Sequence, residues 1–216
     1  MSFEKHNKDT NSLARMLAAT SHKVNGERDL NDFYATPPKC VKFLLDKLDK
    51  YNERDLGKVW EPCAGMNHIT NVLRENGYEV VTSDLNVLED GVIEQDFFAT
   101  DDNFLKENNL DGKFSIVTNP PYKFANDWYK HAMEILPEGG KLIQFVKIQF
   151  LETGKRYELF MKWKPKYIWA LARRYQCAQG GDFKGSDGSG GIAMYCWVLT
   201  EKGYNGETIF DWIEGV

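Results

Sequence analysis

The sequence predicts an α/β fold in which a mainly parallel sheet of seven strands carries helices on both faces and ends in an antiparallel edge. Short β-rich runs alternate with segments whose apolar residues recur at helical spacing, which is the pattern of such a sheet. Turn pairs such as Asn76-Gly77 and Gly139-Gly140 separate the two kinds of segment. With 216 residues, the chain is long enough to bury the core of one domain of this class.

The elements follow one another with short connections. A helix is expected over residues 40–48, because its leucines share one helical face and Pro38 suits a first turn. The segments rich in β-branched and aromatic residues are expected to be strands, at residues 58–60, 79–83, 92–94, 114–118, 141–148, 167–173 and 193–199. The intervening amphipathic segments are expected to be helices, at residues 69–75, 125–136 and 156–162. The last two strands can pair antiparallel at the sheet edge.

The chain divides into two parts by composition. Residues 1–32 are polar and weakly periodic, with a short helical candidate at residues 12–19, and we interpret them as an N-terminal arm. Residues 33–216 form the domain itself. Within it, residues 179–191 are so rich in glycine that we expect a loop without a rigid conformation of its own.

The overall composition is that of a soluble protein. Hydrophobic residues make up 42% and charged residues 27% of the chain, and no apolar run reaches the ~18 residues of a membrane span. The polar start is unlike a signal peptide, so we expect a cytoplasmic protein without membrane contact. The four cysteines form no Cys-x-x-Cys pair and the four histidines are scattered, which predicts reduced thiols and no metal site.

Charge is distributed unevenly along the chain. The formal net charge is -5, which argues against coating nucleic acid by bulk attraction. Residues 141–184, however, hold ten Lys and Arg against three Asp and Glu, with aromatic residues among them. This pattern suits phosphate contacts, although a solvated basic face would look the same. The candidates for contacts to nucleic acid are Lys155, Arg156, Arg173, Arg174 and Lys184.

The four residues Asn119-Pro120-Pro121-Tyr122 follow the buried run at residues 114–118. An amine conjugated to a ring is a poor nucleophile, and two oxygen acceptors aimed at its hydrogens would localise its lone pair. The Asn119 side-chain oxygen and the Pro120 carbonyl, fixed by the proline ring, can be those acceptors, while Tyr122 can stack on a flat base. An ordinary turn is the competing interpretation, but the end of a buried strand is where ligands of open α/β sheets bind.

Two further segments suit a nucleotide-like cofactor. The run Glu61-Pro62-Cys63-Ala64-Gly65 lies at a strand-to-helix turn, where small residues let backbone amides approach a ligand. About 20 residues later, Asp84 ends the next strand, where a carboxylate can accept hydrogen bonds from ribose hydroxyls. Asp96 can bind an adenine amine and Phe97 can cover the ring. Each signal is weak alone, and a helix cap or surface acid would explain either aspartate.

The order of these motifs is more specific than any one of them. From Thr36-Pro37-Pro38 to the tetrapeptide, the chain resembles S-adenosylmethionine-dependent amino-group methyltransferases, and in layout the short phage- and prophage-type N6-adenine DNA methyltransferases. The resemblance covers roughly residues 33–212. It implies a Rossmann-like class I methyltransferase fold, S-adenosylmethionine as cofactor and DNA as partner.

The resemblance also implies roles for single residues. Tyr34, Thr36 and Pro37 would contact the methionine end of the cofactor, and Asp84 would hold its ribose. The remaining matches form the loop, adenine and catalytic motifs, in that order: Glu61, Pro62, Ala64 and Gly65; Asp96 and Phe97; Asn119, Pro120, Pro121 and Tyr122. One departure is Asn67, which stands where the loop often has a second glycine. Because asparagine tolerates a left-handed backbone, we expect the turn to form.

The motifs define the reaction more narrowly than the acceptor. Adenine in RNA, N4 of cytosine and a glutamine side chain all present a flat amine to the same tetrapeptide. Asn119 favours adenine over cytosine, and Glu61-Pro62 is more similar to the DNA enzymes than to glutamine methyltransferases. A catalytically silent nucleic-acid-binding subunit is a further alternative. About 70 residues follow the fifth predicted strand, and part of them complete the sheet, so target recognition is expected to be minimal or supplied by a partner, either another protein or a second copy of the chain.

Overall fold

The computed structural model of the chain describes residues 23–24, 27–28, 34–175, 177–179, 183 and 193–215. Within these residues, an eight-stranded sheet lies at the centre of the domain and helices pack on both of its faces. The predicted α/β fold with a mainly parallel sheet is therefore confirmed. The helix predicted at residues 12–19 and most of the glycine-rich segment lie outside the described residues.

The elements are numbered here in chain order. The strands are β1 (Lys23–Val24), β2 (Glu27–Arg28), β3 (Tyr34–Ala35), β4 (Lys58–Glu61), β5 (Val80–Asp84), β6 (Ile93–Glu94), β7 (Phe114–Thr118), β8 (Lys141–Lys147), β9 (Tyr167–Leu171), β10 (Ala178–Gln179), β11 (Tyr195–Glu201) and β12 (Ile209–Ile213). The α-helices are α1 (Pro38–Lys50), α2 (His68–Glu75), α3 (Asp102–Glu107), α4 (Ala125–Ile135) and α5 (Gly154–Lys162). Single-turn 3₁₀ helices lie at Phe97–Ala99, Tyr122–Phe124 and Ile148–Leu151.

The strand order in the large sheet is β12-β9-β11-β8-β7-β4-β5-β6. All neighbours are parallel except β11, which runs antiparallel to both β8 and β9. The predicted antiparallel pairing of β9 with β11 on this side of the sheet is confirmed, and one further strand lies outside it. The edge is β12, an eighth strand that the sequence analysis missed. Its position depends on contacts with α1, which lies about 160 residues away in the chain and leaves no trace in local periodicity.

The core consists of two apolar layers, one on each face of the sheet. Helices α1 and α2 pack on one face, and α3, α4 and α5 pack on the other. Two fully buried tryptophans also complete polar contacts, because the Trp60 indole donates to the Ser83 hydroxyl at 3.0 Å and the Trp197 indole donates to the Cys40 carbonyl at 2.9 Å. Both contacts hold neighbouring elements together, since a buried donor without a partner would cost free energy of folding.

The edge strand β12 is attached to α1 through one carboxylate. Asp211 accepts hydrogen bonds from Lys47 at 2.6 Å, from Lys50 at 2.7 Å and from the Tyr51 hydroxyl at 2.8 Å. The two lysines occupy the last turn of α1, where positive charge also complements the helix dipole. This cluster therefore anchors the outer strand of the sheet to the helix that packs beside it.

The cysteines are free thiols, as predicted, with Cys40, Cys177 and Cys196 buried and Cys63 partly exposed. Among the described residues, no group of three or more His, Cys, Asp or Glu side chains is placed to hold a metal ion. None of the helices in the described part of the chain combines the length and the apolar character needed to cross a membrane.

Candidate active site

Three of the predicted motifs meet at one edge of the sheet. Strands β4, β5 and β7 are parallel neighbours, and they end at Glu61, Asp84 and Thr118. The residues that follow these ends are the glycine-containing loop, the Asp84 turn and the Asn119 tetrapeptide. The carboxyl edge of parallel strands is where open α/β sheets bind ligands. The fold thus brings together segments that are up to 60 residues apart in the chain.

The loop between β4 and α2 adopts a left-handed backbone twice. Gly65 has φ of 50°, and Asn67 has φ of 59° and ψ of 23°. The turn is closed by the Asn67 amide, which donates to the Ala64 carbonyl at 2.8 Å. Asparagine is among the few residues that adopt this conformation readily, so Asn67 replaces a glycine without breaking the turn.

Glu61 supports this loop from beneath. Its side chain is 1% exposed and accepts hydrogen bonds from the Thr70 amide at 2.9 Å and from the Thr70 hydroxyl. Thr70 lies in the first turn of α2, so the carboxylate satisfies an amide that the helix leaves unpaired. Burial raises the pKa of Glu61 to about 8, although the Thr70 hydrogen bonds act in the opposite direction. Glu61 therefore holds the loop against α2, whereas the family resemblance implies a contact with the cofactor.

Asp84 connects the same loop to the end of β5. Its carboxylate accepts from the Gly65 amide at 2.9 Å through Oδ2 and from the Asn86 amide at 2.9 Å through Oδ1. Burial raises the pKa of Asp84, and these backbone hydrogen bonds lower it. The carboxylate has further lone pairs for a ligand beside the loop, since each oxygen can accept more than one hydrogen bond.

Asp96 lines an open depression that also includes Leu85, the residue after Asp84. The depression has a volume of about 470 Å³ and is lined by Leu85, Glu94, Gln95, Asp96, Ala99, Asp101 and Phe104. One Asp96 oxygen accepts from the Phe98 amide at 2.9 Å. The lining combines apolar surface with carboxylate and amide groups, which is the composition expected of a site for a nucleoside. Of these lining residues, only Asp96 is a site residue predicted from the sequence.

Phe97 does not line the depression. Its ring is fully buried and stacks on Trp128, with ring centroids 3.9 Å apart and an interplanar angle of 12°. It also contacts Trp60 at 5.5 Å between centroids. The expectation that the Phe97 ring covers an adenine is therefore at odds with the structure, because aromatic packing in the core uses the ring. The apolar group beside Asp96 is Phe104 instead.

The Asn119 side chain is held by the N-terminal segment. Its amide nitrogen donates to the Tyr34 carbonyl at 3.0 Å. Tyr34 and Ala35 form β3, which pairs antiparallel with Ala178 and Gln179 of β10. Fixing the nitrogen of an amide also fixes its oxygen, so this hydrogen bond orients Oδ1 of Asn119 away from Tyr34 and leaves it as an acceptor.

The other tetrapeptide residues are buried or partly buried. Pro120 is buried, and Pro121 precedes the 3₁₀ turn at Tyr122–Phe124. The side chain of Tyr122 is partly exposed and packs against residues of both core layers. Its hydroxyl is buried near Cys177 and Tyr195. Burial raises the pKa of Tyr122 well above its ordinary value. Tyr122 therefore contributes a fixed aromatic surface and no proton chemistry near neutral pH.

The remaining predicted cofactor residues adjoin this edge. Thr36 follows β3 and is 2% exposed, with no hydrogen-bond partner for its hydroxyl among the described residues. Pro37 directly precedes α1, and Pro62 and Ala64 are buried in the loop after β4. The Asn67 side-chain oxygen is likewise buried and without a partner in the described part of the chain.

The predicted basic residues have different surroundings. Arg156 is bound within the protein, because it donates to the Asn126 side chain at 2.7 Å and to the Gln149 carbonyl at 2.9 Å and lies 4.8 Å from the Phe150 ring centroid. Its guanidinium therefore holds the turn after β8. Arg156 thus makes contacts within the protein in place of the expected contact with nucleic acid. The other basic side chains described are exposed, namely Lys155, Arg173 and Arg174. Lys184 lies outside the described residues.

Arg173 and Arg174 lie at the same edge of the sheet as the tetrapeptide. They follow β9, which runs parallel to β8 because both strands are antiparallel to β11. The two arginines therefore extend the carboxyl edge beyond the end of β8. Their two positive charges lie beside the site at this edge.

Comparison with known proteins identifies the fold. No family model matches the chain, and no curated protein matches its sequence. A protein assigned as a class I S-adenosylmethionine-dependent methyltransferase from Listeria monocytogenes superposes with a TM-score of 0.57 at 13% identity, covering 99% of this chain and 76% of its own. A predicted O-methyltransferase from Agrobacterium tumefaciens has a TM-score of 0.52 at 16% identity, covering 82% of this chain and 86% of its own.

The methyltransferase-like fold also occurs in a much larger protein. The Type ISP restriction-modification enzyme LlaGI, solved as a nuclease-deletion mutant in complex with a DNA substrate mimic, has a TM-score of 0.53 at 14% identity. The match covers 86% of this chain but only 28% of that enzyme. These likenesses establish the Rossmann-like fold of class I methyltransferases for this chain, in agreement with the sheet order.

Proposed function

We propose that this protein transfers a methyl group from S-adenosylmethionine to the N6 amine of adenine in DNA. The observation that carries the proposal is the anchoring of Asn119, whose nitrogen is bound to Tyr34 so that its oxygen is the available acceptor. The Pro120 carbonyl is the second acceptor, and the Tyr122 ring is the surface on which the base stacks. An acceptor pair of this kind stabilises the positive charge that develops on the amine during transfer.

The residues at the edge of the sheet fit the cofactor. S-adenosylmethionine carries an electrophilic methyl group on its sulfonium sulfur. We assign its nucleoside to Asp84 and to the depression that contains Asp96, and its methionine end to the β3 segment and the glycine-containing loop. The buried Thr36 hydroxyl and the Asn67 side-chain oxygen have no partners among the described residues, so polar groups of the ligand would satisfy them.

Methyl transfer needs no strong general base at this site. When bound, the cofactor would supply the methyl group and leave as S-adenosylhomocysteine, and the methylated amine would release its extra proton to solvent. The contribution of the protein is to hold the amine and the methyl group in line and to orient the acceptors. Because N6 lies inside a duplex, the base must leave the stack, which costs a few kcal/mol that stacking on Tyr122 partly offsets, at about 1–3 kcal/mol.

A product analysis tests this function. The purified chain is incubated with labelled S-adenosylmethionine and with duplex DNA, single-stranded DNA, RNA or protein, and the products are digested and separated. We expect N6-methyladenine from DNA. Labelled N4-methylcytosine, methylated RNA or methylglutamine would identify a different methyl acceptor for the same transfer reaction. Failure of the cofactor to raise the melting temperature, together with no labelled product, would contradict the assignment as a methyltransferase.

A further inference from the structure

Lys147 is the last residue of β8, and its exposed side chain extends over the Tyr122 ring. Its ammonium nitrogen lies 5.2 Å from the ring centroid. Strand β8 runs three residues beyond Gln144, which pairs with Thr118 immediately before the tetrapeptide. The end of β8 therefore lies beside the tetrapeptide that follows β7. Lys147 is not part of any motif found in the sequence, yet it is the cation that lies against the proposed base-stacking ring.

The charge of Lys147 is not matched by a carboxylate. Among the described residues, no Asp or Glu forms an ion pair with it, and its neighbours are Tyr122, Tyr195 and Cys177. Other lysines of the sheet differ. Lys141, at the opposite end of β8, lies 2.7 Å from Glu53, and Lys166 lies 2.6 Å from the same carboxylate. These two lysines are structural, whereas the Lys147 ammonium contacts an aromatic ring and, within the described part of the chain, no carboxylate.

An exposed cation–π contact contributes only about 0.5–1 kcal/mol. A phosphate oxygen forms a charge-assisted hydrogen bond with an ammonium, which is stronger, so Lys147 can exchange the ring for an anion that enters the site. The substrate would bring such an anion. A nucleotide whose base stacks on Tyr122 carries a phosphodiester on each side of its sugar, within reach of a side chain that already lies over that ring. Phosphate contacts of this kind set the position of a strand and leave sequence choice to other groups.

We infer that Lys147 binds the backbone phosphate adjacent to the target nucleotide and positions the base on Tyr122. The inference rests on the proposed function, which it deepens by assigning the phosphodiester contact that the inward-facing Arg156 does not make. Arg173 and Arg174 would continue the same phosphate track along the edge of the sheet. The carboxylate of the cofactor is another anion that an ammonium could bind, so the experiment separates the two sources.

Equilibrium binding tests the inference without requiring turnover. A fluorescent single-stranded oligonucleotide with one adenine is titrated with wild type, Lys147→Ala, Lys147→Arg and, as a matched control, Lys42→Ala at an exposed site on α1. We expect Lys147→Ala to weaken binding about 10-fold and to reduce the slope of log Kd against log salt by about one charge, while Lys147→Arg retains most of the affinity. Lys42→Ala should match wild type.

A neutral linkage identifies the phosphate. Oligonucleotides with a methylphosphonate on the 5′ or the 3′ side of the adenine are compared with the unmodified strand. Wild type should lose about 10-fold in affinity with one of the two, and Lys147→Ala should be indifferent to that same replacement. Equal sensitivity of both proteins, or an unchanged salt slope in Lys147→Ala, would overturn the inference.

Two further outcomes separate the alternatives. Weaker binding of S-adenosylmethionine by Lys147→Ala in calorimetry would place the ammonium on the cofactor carboxylate and overturn the phosphate assignment. Binding that follows the expected pattern in a wild-type protein that methylates no nucleic acid would support the role of Lys147 and contradict the proposed reaction. When methylation is observed, Lys147→Ala should raise KM more than it lowers kcat.

Discussion

The orientation of Asn119 depends on a single backbone carbonyl. Without the hydrogen bond to Tyr34, the two ends of the amide could exchange, and the nitrogen would then face an amine that offers only hydrogens. Tyr34 belongs to β3, which pairs with β10, so this hydrogen bond attaches the Asn119 side chain to the β3–β10 pair. One amide thus links three segments that are far apart in the chain, namely β3, β10 and the tetrapeptide.

At the same scale, Asp84 joins the cofactor loop to β5. Replacing it in Asp84→Ala removes the acceptor of the Gly65 amide and the proposed ribose contact together. We expect the Kd for S-adenosylmethionine to rise at least 10-fold in calorimetry, because hydrogen bonds to a charged group contribute about 1.5–3 kcal/mol. Asp90→Ala, at an exposed position of the following turn, is the control. Equal affinities for the two variants would exclude Asp84 from the cofactor site.

At the scale of elements, the buried Glu61 carboxylate couples β4 to the start of α2. Its ordinary pKa is about 4.3 in an unfolded chain, whereas burial raises it to about 8 in the folded protein. Between these values the folded state keeps a proton that the unfolded chain has lost. The contribution of this group to stability is therefore greatest at low pH, falls as the pH rises through the window and is lost above about pH 8.

Glu61→Gln removes this titration while keeping an oxygen that can accept from Thr70. We expect the melting temperature of the variant, relative to wild type, to rise between pH 5.5 and 8.5, since a shift of this size corresponds to a few kcal/mol. Glu75→Gln, at an exposed position of the same helix, is the control and should show no such trend. A difference between Glu61→Gln and wild type that does not change with pH would contradict the proposed state of the carboxyl group.

At the scale of the whole molecule, Asp211 attaches the edge strand β12 to α1. Hydrogen bonds from Lys47 and Lys50 hold the pKa of Asp211 well below its usual range. A carboxylate with a lowered pKa contributes stability above its unfolded pKa, and this contribution is lost as the pH falls through the folded value. The attachment of the edge strand should therefore weaken in acid.

Asp211→Asn tests this attachment. The variant should melt a few degrees below wild type at pH 7, because the two lysines lose their counter-charge. The difference should shrink below about pH 4, where the unfolded chain begins to bind the proton that the folded carboxylate does not yet take up. Asp46→Asn on the exposed face of α1 serves as the control. A melting difference that persists unchanged into acid would assign the effect to packing of the strand and not to charge.

The fold was largely predictable from the sequence because its signals are local. Strand β7 begins and ends as predicted, and the boundaries of α2, α4 and β8 differ from the prediction by one residue. Buried parallel strands appear as short apolar runs, and turns appear as glycine and proline pairs. The antiparallel partner of β9 was also found. These features depend on residues close together in the chain.

The missed features depend on contacts between distant residues. Strand β12 is placed by Asp211 and α1, and Arg156 faces inward because Asn126 and Gln149 accept from it. Phe97 is buried because Trp128 covers its ring, and Lys147 lies over Tyr122 because β8 is longer than β7. Composition shows that a residue is charged or aromatic, but the partner that decides its role is set by the tertiary fold.

The most direct test of the central claim is the rate of a single methyl transfer by Asn119→Ala. With labelled S-adenosylmethionine and excess enzyme, we expect the rate on adenine-containing DNA to fall about 100-fold or more, because one of two oriented acceptors is lost, while the Kd for the cofactor stays near that of wild type. Asn71→Ala, at an exposed position of α2, should transfer at the wild-type rate. A single-turnover rate for Asn119→Ala equal to that of wild type would contradict the account.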